Sequence, residues 1–309
     1  MEISFDDLDG RSPGHGYYRG ERMKRPDERK IGEYWTERPM IHPGYGFDVE
    51  NATPEEIFAH AERIMRDKER LHQEPDAPLL SRYIDYVALE GKTALEIGYG
   101  VGWLTAELAK AGATVHGIDL SRSHYEYSRY RFRDNPNVQL RVGSAEDMPY
   151  GDDTCDFVCA WGVIDHAADD QRCYDEIWRV LKPGGKAFLM VYRRGGPKLW
   201  WQKIVRKGLL RGELLQHGFN IKRFIYSVTD AYQEDSPGAP ISRHYTRRQL
   251  LRKLHKFEDV ELMISGNENE WKNLPFERLP LSNLLGERVL HRLVEVSGAY
   301  WLVHMAKPR

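Results

Sequence analysis

Cysteine is scarce, with Cys155, Cys159 and Cys173 the only three in 309 residues. An odd number without zinc-ligand spacing argues against a disulfide framework and a structural zinc site. Cys155 and Cys159 fall in or beside an apolar run, so free core thiols in a reducing cytoplasm are expected. No apolar run approaches the ~20 residues that a membrane-spanning helix needs. The opening MEISFDDLDGRSPGHGYY has neither the basic start nor the apolar core of a secretory signal. Charge of one sign is also missing: 45 Lys and Arg stand against 47 Asp and Glu, a formal net charge of −2. No global field therefore draws nucleic acid or an anionic membrane to the chain. Internal repeats, low-complexity blocks and an obvious metal-ligand set are absent from the sequence too.

What is there divides into four stretches. Residues 1–52 read as an irregular arm with many rings (Tyr17, Tyr18, Tyr34, Trp35, Tyr45), expected to lie over a domain rather than form one. Residues 53–193 open on Thr53-Pro54-Glu55-Glu56, a helix start with a cap, a proline at the first position and a capping box. A second helix is expected over about 78–89. Strands at about 93–97, 114–118, 138–142, 155–161 and 186–192 then alternate with helices at about 102–111, 121–132 and 169–181. That alternation predicts right-handed crossovers and an α/β, Rossmann-like, doubly wound sheet. Residues 194–243 read as a helical insertion. Its segment 198–207 is amphipathic, with a basic face and a tryptophan side expected to pack over the sheet edge. Residues 244–309 return to the core through a helix at about 246–254, a strand at about 260–264 and a final strand near 300–306.

The densest signal is Glu96-Ile97-Gly98-Tyr99-Gly100-Val101-Gly102-Trp103. A strand carries an acid at its end, breaks into alternate glycines and resumes as a helix, leaving bare backbone where a ligand can approach. A dinucleotide fold would put a third glycine at Trp103, and Glu96 would repel a pyrophosphate. Asp119 follows Glu96 by 23 residues at the end of the next strand, where an acid can accept from both ribose hydroxyls. A helix cap is the other role open to it, and Ser121 could fill that role instead.

Further matches stand in order: Gly143-Ser144-Ala145-Glu146, Cys155-Asp156-Phe157-Val158-Cys159-Ala160-Trp161-Gly162-Val163-Ile164-Asp165-His166, and Leu181-Lys182-Pro183-Gly184-Gly185. Over about 90–195 strongly, and 244–309 loosely, the chain resembles the class I S-adenosylmethionine-dependent methyltransferases, of the small-molecule (methyltransferase type 11-like) group. The resemblance implies a seven-stranded sheet with an antiparallel last strand. It also implies S-adenosyl-L-methionine as cofactor and S-adenosyl-L-homocysteine as product. Carried over by motif, Glu96, Gly98, Tyr99, Gly100 and Gly102 cradle the methionine part and ribose, and Asp119 with Leu120 holds the ribose. Ser144, Ala145 and Glu146 border adenine, although many relatives carry Asp where this chain has Ser144. Trp161 leaves the fourth strand beside the transferable methyl.

His166 is the candidate base for a hydroxyl acceptor, with a packing role equally open; Asp165 would orient it or a substrate cation. Tyr17, Tyr18, Trp35, Tyr192, Arg193, His244 and Tyr245 are candidate acceptor contacts. The sequence lacks the Asn/Asp-Pro-Pro-aromatic run of DNA amino-methylating enzymes and the paired glutamates of protein-arginine enzymes. The expected function is methyl transfer to O, N or S of a small metabolite by in-line attack, with a homodimer compatible. A quinone- or lipid-type C/O-methyltransferase with weak membrane contact, or an inactive cofactor-binding partner protein, are the alternatives.

Overall fold

A computed structural model of the chain describes residues 26–38, 52–69, 72, 77–229, 238–266, 275–276, 279–280 and 287–309. Its main strands are β1 (Thr93–Ile97), β2 (Thr114–Asp119), β3 (Val138–Val142), β4 (Cys155–Trp161), β5 (Leu181–Tyr192) and β6 (Glu258–Ser265). A two-residue ladder, β7 (Pro275–Phe276) with β8 (Leu279–Pro280), stands apart, and β9 (Tyr300–Ala306) closes the chain. The large sheet runs β3-β2-β1-β4-β5-β9-β6. β1 to β5 pair in parallel, and β9 lies antiparallel between β5 and β6. The expected Rossmann-like sheet of seven strands with an antiparallel last strand is the fold observed. Strand order reverses between β1 and β4, which opens a crevice at the carboxyl ends of the strands.

Parallel strands between two helical layers are apolar on both faces, and β1 shows this residue by residue. Leu95 and Ile97 join Ile118, Val158 and Ile177 beneath α5 (Asp170–Val180), whereas Ala94 joins Leu104 and Leu108 of α3 (Trp103–Lys110) on the other face. The capping box expected at Thr53 and Glu56 starts α2 (Pro54–Lys68), whose Ile57, Phe58 and Ala61 close over Val101. All three cysteines are free and buried.

Four local expectations are corrected. The arm is not irregular throughout: α1 (Pro26–Glu37) buries Ile31 and Tyr34. The helix expected over 78–89 is a series of turns ending in a short 3-10 segment, Val87–Leu89. Buried Leu80 stands at φ 60, which breaks a right-handed helix, and the Asp85 carboxylate takes the Ala88 N–H at 3.3 Å instead. Strand β5 begins at Leu181 because Leu181 pairs with Cys155 before a register shift. The amphipathic segment of the insertion is a π-helix, Lys198–Leu210. Its wider winding changes the phase of the side chains, so Leu199 is buried while Trp200 is 53% exposed. The insertion leaves and re-enters the sheet at one point, where Arg193 bridges Tyr245.

Candidate active site

The turn between β1 and α3 uses its three glycines for different reasons. Gly98, Gly100 and Gly102 all have positive φ (71°, 54° and 76°). A Cβ on Gly98 would lie 2.3 Å from Val163 Cγ2, and one on Gly102 would lie 2.5 Å from Phe132 Cε2. A Cβ on Gly100 would meet nothing within 4 Å among the described residues, so the turn is open on that side. Tyr99 is turned inward: its ring packs on Gly117 and its hydroxyl donates to the Arg141 carbonyl at 3.2 Å. Only the Tyr99 backbone is therefore left to meet a ligand.

Asp119 ends β2 with its carboxylate aimed back at that turn. Oδ2 accepts from Gly100 N–H at 3.0 Å and from His124 Nδ1 at 3.1 Å, and Oδ1 accepts from Ser121 N–H at 2.8 Å. Burial alone would push this carboxyl up, but His124 and the two backbone donors hold it below the ordinary range. Ser121 caps α4 (Arg122–Arg131) through His124 N–H, so Asp119 is spared that task. Leu120 beside it is half-buried.

Glu96 is buried and accepts a hydrogen bond from Thr105 Oγ1, tying β1 to the first turn of α3. Burial pushes its carboxyl up to about 8, against the Thr105 bond that lowers it and with the Asp119 charge adding to the rise. Between the ordinary carboxylate range and pH 8 the folded chain thus binds a proton that the unfolded chain has released. Stability should be greatest below pH 4.5 for this group and fall as pH rises to about 8, by on the order of 4 kcal/mol. Chemical denaturation of the ligand-free protein across that range checks this: Glu96→Gln should flatten the fall, and an unchanged slope would remove the assignment.

The segment after β3 is tied to α1 and to the start of α5. Ser144 Oγ donates to Glu28 Oε1 of α1 at 3.1 Å and accepts from Glu146 N–H at 3.1 Å. Ala145 is half-buried beside the core. Glu146 is buried, its carboxylate accepting Asp169 N–H at 2.8 Å at the start of α5. Trp161 leans to the α3 side, edge-on to Trp103 at 6.4 Å and to His72 at 5.7 Å.

Past β4, Val163 leads into a short 3-10 turn, Ile164–His166, that buries Asp165 and His166. His166 Nδ1 stands 2.7 Å from the Ile241 carbonyl. A carbonyl only accepts, so Nδ1 carries the proton and Nε2 is the basic nitrogen of the neutral ring. Asp165 Oδ2 lies 3.8 Å from Nε2. Trp35 and Tyr192 stand edge-on to His166 at 5.3 and 5.7 Å, and His244 stacks on Tyr192 at 5.3 Å.

Trp35, Tyr192 and His244 are thus brought together around His166. Two other candidates are placed elsewhere. Arg193 donates to the Gly298 carbonyl at 3.0 Å and lies over Trp301, and Tyr245 is buried with its hydroxyl on Asp170 Oδ2 at 2.7 Å. Both close the neck of the insertion. Tyr17 and Tyr18 lie outside the described residues.

Several contributors were not singled out in the sequence. Helix α1 crosses the carboxyl ends of β2 and β3: Ser121 Oγ and Ser123 Oγ donate to the Trp35 and Thr36 carbonyls at 3.0 and 2.6 Å. His124 holds Asp119, and Ser128 Oγ donates to the Gly100 carbonyl at 2.8 Å. Only their position in the first two turns after Asp119 could have marked them. Arg243 clamps the histidine turn, its guanidinium donating to the Ala167 carbonyl and, at 2.8 Å, to that of Ala168. Among the described residues no group of three His, Cys, Asp or Glu could hold a metal ion, and no helix is long and apolar enough to cross a membrane.

Residues 95–189 match the family model described as a methyltransferase domain. Methyltransferase GfsG of Streptomyces halstedii is 32% identical over 171 residues, covering 51% of this chain and 56% of that protein. The ubiquinone biosynthesis O-methyltransferase of Pseudomonas putida is 28% identical over 210 residues, covering 62% and 86%. The chain spans between a quarter and somewhat over half of the length of the first relatives it matches, at 56%, 27% and 25%. Among solved structures, geranyl diphosphate C-methyltransferase from Streptomyces coelicolor A3(2) superposes with a TM-score of 0.52. It is 16% identical and covers 94% of this chain and 100% of its own. A putative methyltransferase in complex with its Haloferax volcanii Trm112 activator gives 0.51 at 16% identity, covering 88% and 99%. At that identity the likeness is one of fold.

Proposed function

We propose, from the class I S-adenosylmethionine-dependent methyltransferase domain that residues 95–189 carry, that the chain methylates O, N or S of a small molecule. The observation that carries the reading is the buried Asp119 carboxylate, aimed at the Gly100 turn and bonded to its N–H, beside open ground. S-adenosyl-L-methionine, when bound, supplies a methyl group already activated by its sulfonium. Asp119 suits the ribose hydroxyls, as a charged acceptor held rigid by three donors. Gly100 lets backbone approach the methionine part, and Ser144 with Ala145 borders the adenine.

On this reading His166 is the base for a hydroxyl acceptor. Its Nε2 takes the hydroxyl proton, and Asp165 at 3.8 Å stabilises the imidazolium formed. Trp35, Tyr192 and His244 wall the same ground with rings, which keeps water from the reacting pair and orients the acceptor. The test is transfer of labelled methyl from S-adenosyl-L-methionine into an extract of small metabolites, with mass identification of the product. On a hydroxyl product, His166→Gln should lower kcat by about 10²-fold or more and leave S-adenosyl-L-homocysteine affinity within twofold, as isothermal titration calorimetry would show. No labelled product and no heat with S-adenosyl-L-homocysteine would overturn the function itself.

A further inference from the structure

The insertion carries a surface that the methyl-transfer reading does not use. The π-helix Lys198–Leu210 is followed by α6 (Glu213–Gln216) and α7 (Ile221–Ser227). These three pieces have a core of their own kind. Phe224 and Leu214 are buried, and Phe224 packs so closely on Gly208 that a Cβ there would meet its ring at 3.0 Å. Other apolar side chains of these pieces are left outside that packing. Leu209, Leu210, Leu215, Phe219 and Ile221 are each exposed by 50% to 67%.

Five large apolar side chains within 13 residues of sequence are far more than the single exposed leucine that needs no explanation. The turns that present them are well made. Gly212 and Gly218 take positive φ, and Phe219 itself stands at φ 60. Its N–H is held by the Leu214 carbonyl at 3.2 Å. Asn220 then caps α7 by accepting Arg223 N–H at 3.0 Å. A bulky residue kept in the left-handed region and pointed at solvent is a costly arrangement for a loop with no task.

Charge says what the task is. Residues 198–223 hold Lys198, Lys203, Arg206, Lys207, Arg211, Lys222 and Arg223 against one acid, Glu213. Arg211, Lys222 and Arg223 are exposed and immediately flank the apolar tip. The rest of the chain is therefore acidic on balance, since the whole has a formal net charge of −2. Apolar side chains ringed by cations match a bilayer surface whose headgroups are anionic and whose acyl boundary lies just beneath. We propose that this tip docks the protein on an anionic phospholipid bilayer. Leu209, Leu210, Leu215, Phe219 and Ile221 enter the acyl boundary, and Arg211, Lys222 and Arg223 lie among the headgroups. The proposal concerns where the protein sits and is independent of the acceptor it methylates.

Co-sedimentation of the full chain with phosphatidylcholine vesicles, with and without phosphatidylglycerol, tests it. Binding is expected only where phosphatidylglycerol is present, and it should weaken as salt rises. The pair Leu210→Ser and Phe219→Ser should weaken binding about tenfold or more by loss of apolar burial. Arg211→Gln with Lys222→Gln and Arg223→Gln should do so as well, each near-surface cation being worth about fivefold. These side chains are exposed, so both variants should unfold at the wild-type temperature, and the charge variant stands by itself if the apolar one does not fold. Equal binding to neutral vesicles, no binding to either, or charge variants that bind as the wild type does would overturn the proposal. So would a dimer in sedimentation velocity that Leu210→Ser and Phe219→Ser dissociate while vesicles fail to bind, since the tip would then join two copies of the chain.

Discussion

Asp119→Ala should weaken S-adenosyl-L-homocysteine binding by roughly 150-fold or more, measured by isothermal titration calorimetry. The size follows from what the carboxylate does when a ribose is present. Hydrogen bonds to a charged acceptor contribute about 1.5–3 kcal/mol each, and the alanine loses two of them at once. It also leaves Gly100 N–H, Ser121 N–H and His124 without the acceptor they share, so the turn itself is loosened before a ligand arrives. Asp119→Asn separates these effects. The amide oxygen can still take one backbone donor, but its NH2 opposes the other donors and cannot serve both hydroxyls. Its affinity should fall between wild type and alanine. Thermal unfolding of the ligand-free variants guards against the trivial cause. If Asp119→Ala keeps wild-type affinity, the ribose assignment is wrong and the acid is only a brace for the turn.

The cofactor side was more legible in the sequence than the acceptor side, and the reason is physical. Gly98, Gly100, Gly102, Glu96 and Asp119 sit at the ends of adjacent strands, where short-range pattern fixes both backbone and direction. Asp119 was open to a capping role in sequence, and the structure decides it: Ser121 caps, so the acid faces the turn. Glu146 has a task that the sequence did not mark: its carboxylate accepts Asp169 N–H at the start of α5. Residues brought in over long separations left no local trace. Glu28 meets Ser144 across 116 positions, Ile241 meets His166 across 75, and Thr36 meets Ser123 across 87. Arg193 and Tyr245 misled for the same reason: polar residues flanking an insertion read as a pocket until the bridge between them shows that they close its neck. The π-winding of Lys198–Leu210 had no signature either, since the segment has the apolar spacing of an ordinary helix.

Gly98→Ala should destabilise the protein by about 2–5 kcal/mol and abolish cofactor binding at concentrations that saturate the wild type. Two costs add. The residue is at φ 71, where an L side chain is strained by about 1–2 kcal/mol. Its Cβ would also stand 2.3 Å from Val163 Cγ2 and 2.9 Å from Cγ1, an overlap that well-packed surroundings relieve only at about 1–3 kcal/mol. Relief must come from movement of Val163, and Val163 opens the turn that carries Asp165 and His166. The substitution therefore reaches the histidine turn as well as the glycine turn through one contact. A double-mutant cycle with Val163→Ala resolves the two costs. Removing both γ-methyls leaves the Val163 Cβ at 3.2 Å, a tight but tolerable contact, so roughly half of the lost stability should return. The remainder, the cost of a positive φ, should persist whatever stands at 163. If Val163→Ala restores nothing, the overlap is absorbed elsewhere and the turn is not held by this contact.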